Sequence, residues 1–255
     1  MSAATHSAYL LHRYDWSESS LILDLFTREQ GRVAVAAKGA KRPYSQLRAV
    51  LLPFQRLQVA YGTRRAPGPE SEAAEVQPLR AAERAGGPAM LGGAALLTGF
   101  YMNELLMKLL ARQDPHPALF DAYAQTLPAL AAGDDTGVEA ALRAFELVLL
   151  REIGLLPDLV LVTPTQQPLA AGVLHTLKPD AGLVPAAPGE PGLAAIAWAA
   201  LQAALDADDL AALQRASLPA LAGLKPMLRN LLHYHLATPV LRTRQLMVEL
   251  QNLER

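Results

Sequence analysis

The sequence predicts an α+β protein in which a small, basic, antiparallel β-domain precedes a helical one. Three observations carry this. From Tyr9 to Tyr61 the apolar residues come in short, strand-length runs, whereas from Leu91 onward they recur at i, i+3, i+4 and i+7. Strands gathered before helices indicate an α+β arrangement rather than alternating βα units. Charge divides the same way: residues 1–66 hold ten Lys/Arg against four Asp/Glu, net +6, and the remainder is −7, although the whole chain is only −1. A basic module joined to an acidic one points to a polyanionic partner for the first.

The strand runs are Leu21–Phe26, Arg32–Lys38 and Phe54–Tyr61, with Glu29-Gln30-Gly31 as a turn between the first two. In the second run Arg32 and Lys38 share the parity of Ala34 and Ala36, opposite Val33 and Val35, which predicts one apolar face and one open, cationic face. The loop Gly39–Ser45 adds Lys41, Arg42 and Tyr44, so cations and a ring suited to base stacking lie together. Thr63–Pro78, rich in Pro, Gly, Ala and Glu and containing Arg64 and Arg65, reads as a loop or linker. The expected division is therefore a β-domain over residues 1–80 and a helical domain over 81–255.

Helices are expected at Leu91–Ala111, Ala118–Ala131 and Gly137–Gly154, the last closed by Gly154 with Pro157 beyond it. Asp134-Asp135 suits a solvated turn or helix cap rather than a metal. Val160–Pro191, with six prolines, reads as an extended excursion with at most short strands; helical spacing returns at Leu193–Leu213, Ser217–Tyr234 and Thr238–Leu253. No internal repeat is visible.

Enzyme signatures are missing. The chain of 255 residues has no cysteine, which excludes disulfides, thiolate zinc sites, iron–sulfur clusters and cysteine nucleophiles. Gly39-Ala-Lys41 lacks the spacing of a phosphate-binding loop, and no nucleophile elbow accompanies His12, Asp15 and Ser17. His233 and His235 are two apart and cannot share one helix face. The expectation is a protein with no catalytic residue, metal or cofactor. The apolar stretch Ala89–Met102 is too short to span a bilayer, and the N-terminus lacks the pattern of a secretory signal, so a cytoplasmic protein is expected.

Two surfaces remain as candidates. The basic cluster is either a solvated β-face or a phosphate-tracking surface with Tyr44 or Trp16 to stack on bases; binding of the second kind is sequence-tolerant and salt-sensitive. On the third helix Arg143 and Arg151 flank Phe145, Leu147, Val148 and Leu150. These are either core residues with solvated arginines or a pocket for an acidic, hydrophobic peptide.

Ala8-Tyr-Leu-Leu-His-Arg13, Trp16-Ser-Glu-Ser-Ser20, Leu23-Asp-Leu-Phe-Thr27, Gly31-Arg32, Ala37-Lys-Gly-Ala-Lys41 and Leu52-Pro-Phe54, in that order, resemble the N-terminal domain of the bacterial RecO recombination-mediator family. Tyr101–Leu106, Leu119-Phe120, Leu142–Leu147, Leu224-Lys-Pro226 and Arg242–Leu246 extend the resemblance over nearly the whole chain, leaving about residues 160–215 unmatched. The resemblance implies an N-terminal OB-fold β-barrel and binding of single- and double-stranded DNA. It also implies annealing of complementary strands and docking of the single-strand-binding protein's C-terminal tail. With RecR, such proteins help load RecA onto coated DNA. The candidate DNA contacts are Arg32, Lys38, Lys41, Arg42, Tyr44, Arg48 and Arg56, of which Lys38, Lys41, Arg42 and Arg48 fall in the family's basic segment. Arg143 matches the position expected in the tail-binding pocket, and Arg151, eight residues on, is the second candidate for tail binding. Many members carry a four-cysteine zinc module where this chain has Val160–Pro191, so that stretch is expected to be held by packing alone. The alternative is a structural adaptor whose basic face binds an acidic protein.

Overall fold

The computed structural model describes residues 4–62, 76–87, 90–236, 241–243, 245, 246 and 249. The chain forms two compact units, Met1–Ala131 and Ala132–Arg255.

The first unit begins with β1 (Thr5–Asp15), β2 (Leu21–Thr27) and β3 (Gly31–Ala37), then a short helix α1 (Leu47–Val50), β4 (Arg56–Tyr61) and β5 (Val76–Arg84). These strands close a barrel in the order β1-β2-β3-β5-β4, with β4 returning to β1. All pairings are antiparallel except β3 with β5. A closed five-stranded barrel of this topology is the OB-fold. Its core comes from the inward positions of each strand, among them Ala8, Leu10, Leu23, Leu25, Val33, Val35, Leu57 and Val59.

β1 carries an irregularity with wide consequences. Leu10 pairs with Leu25 but His12 pairs with Asp24, so Leu11 is an extra residue with no partner on β2. Beyond this bulge the alternation is inverted. Arg13 and Asp15 now stand opposite the inward-facing Leu23 and Leu21, while His12 and Tyr14 point outward.

Two helices complete the unit, α2 (Gly93–Leu109) and α3 (Pro117–Ala132). They change the reading of β3: its alternation holds, but the Arg32/Ala34/Ala36 face is closed, with Arg32 8%, Ala34 3% and Ala36 5% exposed. Arg32 lies against the C-terminal end of α2, donating to the carbonyls of Met107 and Leu110. On β2, Phe26 packs against Phe120 and Tyr123 of α3. The end of α2 and the start of α3 are thus fixed to the outside of β2–β3. Arg28 after β2 grips Asp121 on α3 through Nε and Nη2 at 3.0 and 2.8 Å. Gly99 of α2 lacks the Cβ that would meet the Phe54 ring at 2.8 Å, so Phe54 is buried against the helix.

The second unit opens with α4 (Asp135–Glu152). Asp134 caps it, accepting from the Gly137 amide at 2.8 Å; Gly154, at φ +72°, ends it, with the Leu155 amide returning to the Leu150 carbonyl. The Pro-rich excursion holds short strands: β6 (Leu161–Val162) pairs with β7 (Gln167–Pro168), and β8 (Leu174–Lys178) lies between β9 (Gly182–Pro185) and β10 (Leu193–Ala194). Buried Trp198 donates to the His175 carbonyl at 3.1 Å, tying β8 to the helix that follows.

The expected helix over Leu193–Leu213 is instead β10, α5 (Ala195–Asp206) and α6 (Leu210–Ser217). Asp208 adopts φ +50° and Asp209 caps α6 through the Ala212 amide, which breaks the chain between them. α7 (Leu221–His235) follows a short 3-10 turn. The expected helix over Thr238–Leu253 falls for the most part outside the described residues, as do Arg64, Arg65 and most of the Thr63–Pro78 stretch, whose last three residues belong to β5. Among the described residues no helix is long and apolar enough to cross a membrane, and no group of three His, Cys, Asp or Glu side chains is placed to hold a metal.

Candidate nucleic-acid interface

Oligonucleotide-binding barrels commonly offer the outer face of strands 2 and 3 and the flanking β1–β2 and β4–β5 loops. Here much of that face is closed: Asp24, Phe26, Arg32, Ala34 and Ala36 are all buried. Arg13, Lys38, Lys41, Arg42 and Arg48 come instead from the segments at one mouth of the barrel, where β1 ends and β3 runs into α1.

At this mouth lies an open groove of about 580 Å³ lined by Arg13, Asp15, Leu21, Ala40, Lys41, Leu47, Arg48 and Leu51. Local structure explains each side chain. The bulge at Leu11 turns Arg13 and Asp15 onto the inward side of β1, opposite Leu23 and Leu21. Lys41 is held against the β1–β2 loop: its amide donates to the Ser19 carbonyl at 3.0 Å. Its Nζ donates to the Ser17 carbonyl at 2.9 Å and lies 3.1 Å from the Asp15 carboxylate. Successive turns, with Arg42 N to Gly39 O, Ser45 N to Arg42 O and Arg48 N to Ser45 O, lead into α1 and carry Arg48 to the groove. Gly39 at φ +71° starts this turn, a conformation that favours glycine.

Two aromatic rings stand out in these two loops, Trp16 at 58% exposure in the β1–β2 loop and Tyr44 at 98% in the β3–α1 loop. Exposure of a large ring without packing is what a stacking platform for bases requires. The groove thus combines Arg13, Lys41 and Arg48 with a single acid, Asp15, and the two loops that Lys41 joins next to it each present a ring.

The sequence-predicted residues therefore separate. Lys41 and Arg48 line the groove, and Lys38, Arg42 and Tyr44 are exposed on the segment that forms its wall. Arg32 does not join them: its guanidinium is buried and bound to Asp24 at 2.7 Å and to two carbonyls of the α2 end. Arg56 pairs with Tyr9, far along β1 from Arg13, and its guanidinium reaches Ser7 Oγ at 3.2 Å and stands 6.0 Å from the Phe120 ring centre. Arg13 joins the groove without any signal in the strand pattern. Its orientation depends on a bulge that alternation cannot reveal.

In the second unit, Arg143 and Glu146 form a buried ion pair at 2.7 Å on α4, and the Arg143 Nε finds no acceptor. Arg151 contacts Asp208 at 2.6 Å and donates to the Leu205 carbonyl, joining α4 to the end of α5. Its guanidinium is thus engaged within the unit.

Residues 1–68 match the family description Recombination protein O N terminal, and residues 92–245 match Recombination protein O C terminal. The chain belongs to the recombination protein O (RecO) family. It is 51% identical over 256 residues to the DNA repair protein RecO of Variovorax paradoxus (strain S110), covering 96% of each chain. It is 52% identical over 252 residues to that of Verminephrobacter eiseniae (strain EF01-2), covering 98% of this chain and 97% of the relative. A third DNA repair protein RecO, from Acidovorax ebreus (strain TPSY), is 51% identical over 261 residues and 98% of each chain. Membership in RecO accounts for the order of elements, an OB-fold barrel followed by helices.

Proposed function

We propose that the protein is a recombination mediator that holds DNA at the mouth of its barrel and carries out no catalysis of its own. The observation that carries this reading is the groove lined by Arg13, Lys41 and Arg48, together with the exposed Trp16 and Tyr44 in the adjoining loops. Cations beside exposed rings suit a flexible single strand, whose phosphates and unstacked bases reach both. Double-stranded DNA meets the same cations through phosphate alone. Screening of two strands by one basic surface assists their annealing, and no nucleotide is consumed.

The second contact in this reading is with the C-terminal tail of single-strand-binding protein, at α4. Both arginines have partners in the unit, Glu146 for Arg143 and Asp208 with the Leu205 carbonyl for Arg151, and Arg143 keeps one donor, Nε, without an acceptor. Two modest contacts on one chain raise the local concentration of each ligand for the other. RecR and, through it, RecA are the further partners, and the setting is the cytoplasm, at the nucleoid.

The test is fluorescence anisotropy of a labelled single strand at low and moderate salt, comparing wild type with Lys38→Glu/Lys41→Glu/Arg42→Glu after both are shown to fold. A large loss in the variant, with a shallower salt dependence, is expected. Equal binding by the two moves the DNA site elsewhere, and no binding by wild type even at low salt favours a protein adaptor. A tail peptide titrated against Arg143→Ala and Arg151→Ala tests the second contact.

A further inference from the structure

The bulge at Leu11 decides which way Arg13 points, and a buried pair on the two helices of the same unit holds that bulge. Asn103 on α2 is 1% exposed and donates through Nδ2 to the Leu11 carbonyl at 3.1 Å, with the Leu10 carbonyl at 3.5 Å. Tyr123 on α3, fully buried, donates its hydroxyl to Asn103 Oδ1 at 2.6 Å. This donation fixes the orientation of the carboxamide, leaving Nδ2 toward the bulge. The contact falls on the residue that has no partner across the β1–β2 ladder.

We infer that Asn103, oriented by Tyr123, is a positioning residue for DNA binding: it pins the Leu11 bulge and thereby turns Arg13 into the groove. The inference rests on the groove being the DNA site. A buried carbonyl left without a donor is unfavourable, and β1 escapes it by sliding one residue into regular pairing. That slide sets Arg13 opposite Ile22 and Asp15 opposite Ser20, so both leave the groove. Asn103 itself lies beneath the barrel wall and touches no ligand, yet it governs one of the three groove cations.

The test is a double-mutant cycle read by anisotropy of a labelled single strand over a salt series. Arg13→Ala is expected to weaken binding about fivefold and to lower the salt slope by about 0.7, the share of one phosphate contact on a single strand. With Asp15→Asn as the common background, so that departure of the groove acid does not offset departure of the cation, Asn103→Leu is expected to match Arg13→Ala in both respects, and the double variant to be no weaker than either single one. A role in stability alone moves the melting temperature but leaves the salt slope of the folded protein unchanged. Additive losses, or an unchanged slope in Asn103→Leu, overturn the inference while leaving the groove intact. Silence of Arg13→Ala, Lys41→Ala and Arg48→Ala together overturns the groove reading and this inference with it; silence of Arg13→Ala alone overturns only the inference. Should Asn103→Leu fail to fold, Tyr123→Phe, which removes only the orienting hydroxyl, decides in the same way with a smaller loss.

Discussion

Arg32 and Asp24 face each other across β2 and β3 as a bidentate pair, with Nη2 and Nε 2.7 and 3.3 Å from the two carboxylate oxygens. Their side chains are only 10% and 3% exposed. Arg32 Nη1 donates to two carbonyls at the end of α2, where helix carbonyls lack partners of their own. An arginine that reads as a DNA contact is thus a rivet between the barrel and its helix.

Arg32→Ala is therefore expected to cost stability. Removing one partner leaves the Asp24 carboxylate buried beside the more distant Arg112, 4.0 Å away, and losses of about 3–5 kcal/mol are usual for a broken buried pair. Urea unfolding measures this. At a temperature where the variant stays folded, its affinity for a single strand should equal wild type; a selective loss of affinity with unchanged stability contradicts the structural role.

Asp15 makes the opposite case. Its carboxylate, 80% exposed, stands in the groove 3.1 Å from Lys41 and competes with any phosphate for that ammonium. Asp15→Asn keeps the shape and removes the charge. Binding of a single strand is expected to tighten about two- to fivefold at low salt, with the gain fading as salt screens the site. Stability should barely change, because an exposed pair of this kind contributes little.

The strands β2, β3 and β4 were legible because short apolar alternation survives in them, and the helices because their period is 3.6 residues. β1 was not, since His12, Arg13, Tyr14 and Asp15 are all exposed and the Leu11 bulge breaks the alternation midway. β5 escaped notice for a related reason. With Pro78, Arg80, Glu83 and Arg84 exposed, it offers no apolar rhythm, and its place in the barrel comes from pairing with β3 and β4. Lys38 and Arg32 share a parity that treats them alike; what separates them is the α2 end lying over one and not the other. Asp206-Ala-Asp-Asp209, which divides α5 from α6, carried a capping signal in plain view.

Gly31 offers a sharper test of how the turn after β2 is built. It adopts φ +64°, and a Cβ there would stand 1.9 Å from the Asp114 carbonyl oxygen, a backbone atom that cannot swing aside. Gly31→Ala is expected to lower the unfolding free energy by at least about 2 kcal/mol through strain and overlap together. A Tm shift of under a degree contradicts this packing.

The last prediction concerns alkaline pH. Tyr61, at the end of β4, is buried, its ring stacked 4.9 Å from His6 and its hydroxyl 3.1 Å from Gln30 Oε1. Burial is the main cause that pushes its pKa from 10.0 to about 12; a hydrogen bond with Thr27 opposes the rise and the Glu29 charge adds to it. The unfolded chain releases this proton near the ordinary tyrosine value, while the folded protein retains it. Between about pH 10 and 12 the unfolded state binds fewer protons, so stability falls as pH rises. The contribution is fully present below about pH 10 and is lost by about pH 12, amounting to at most about 3 kcal/mol. Unfolding midpoints at pH 9 and 11 should differ, and Tyr61→Phe should reduce that difference. Buried Tyr123, also raised by desolvation, adds to the same slope and remains in the variant, so the pH dependence should shrink without vanishing; an unaltered slope shows that Tyr61 ionises as readily folded as unfolded.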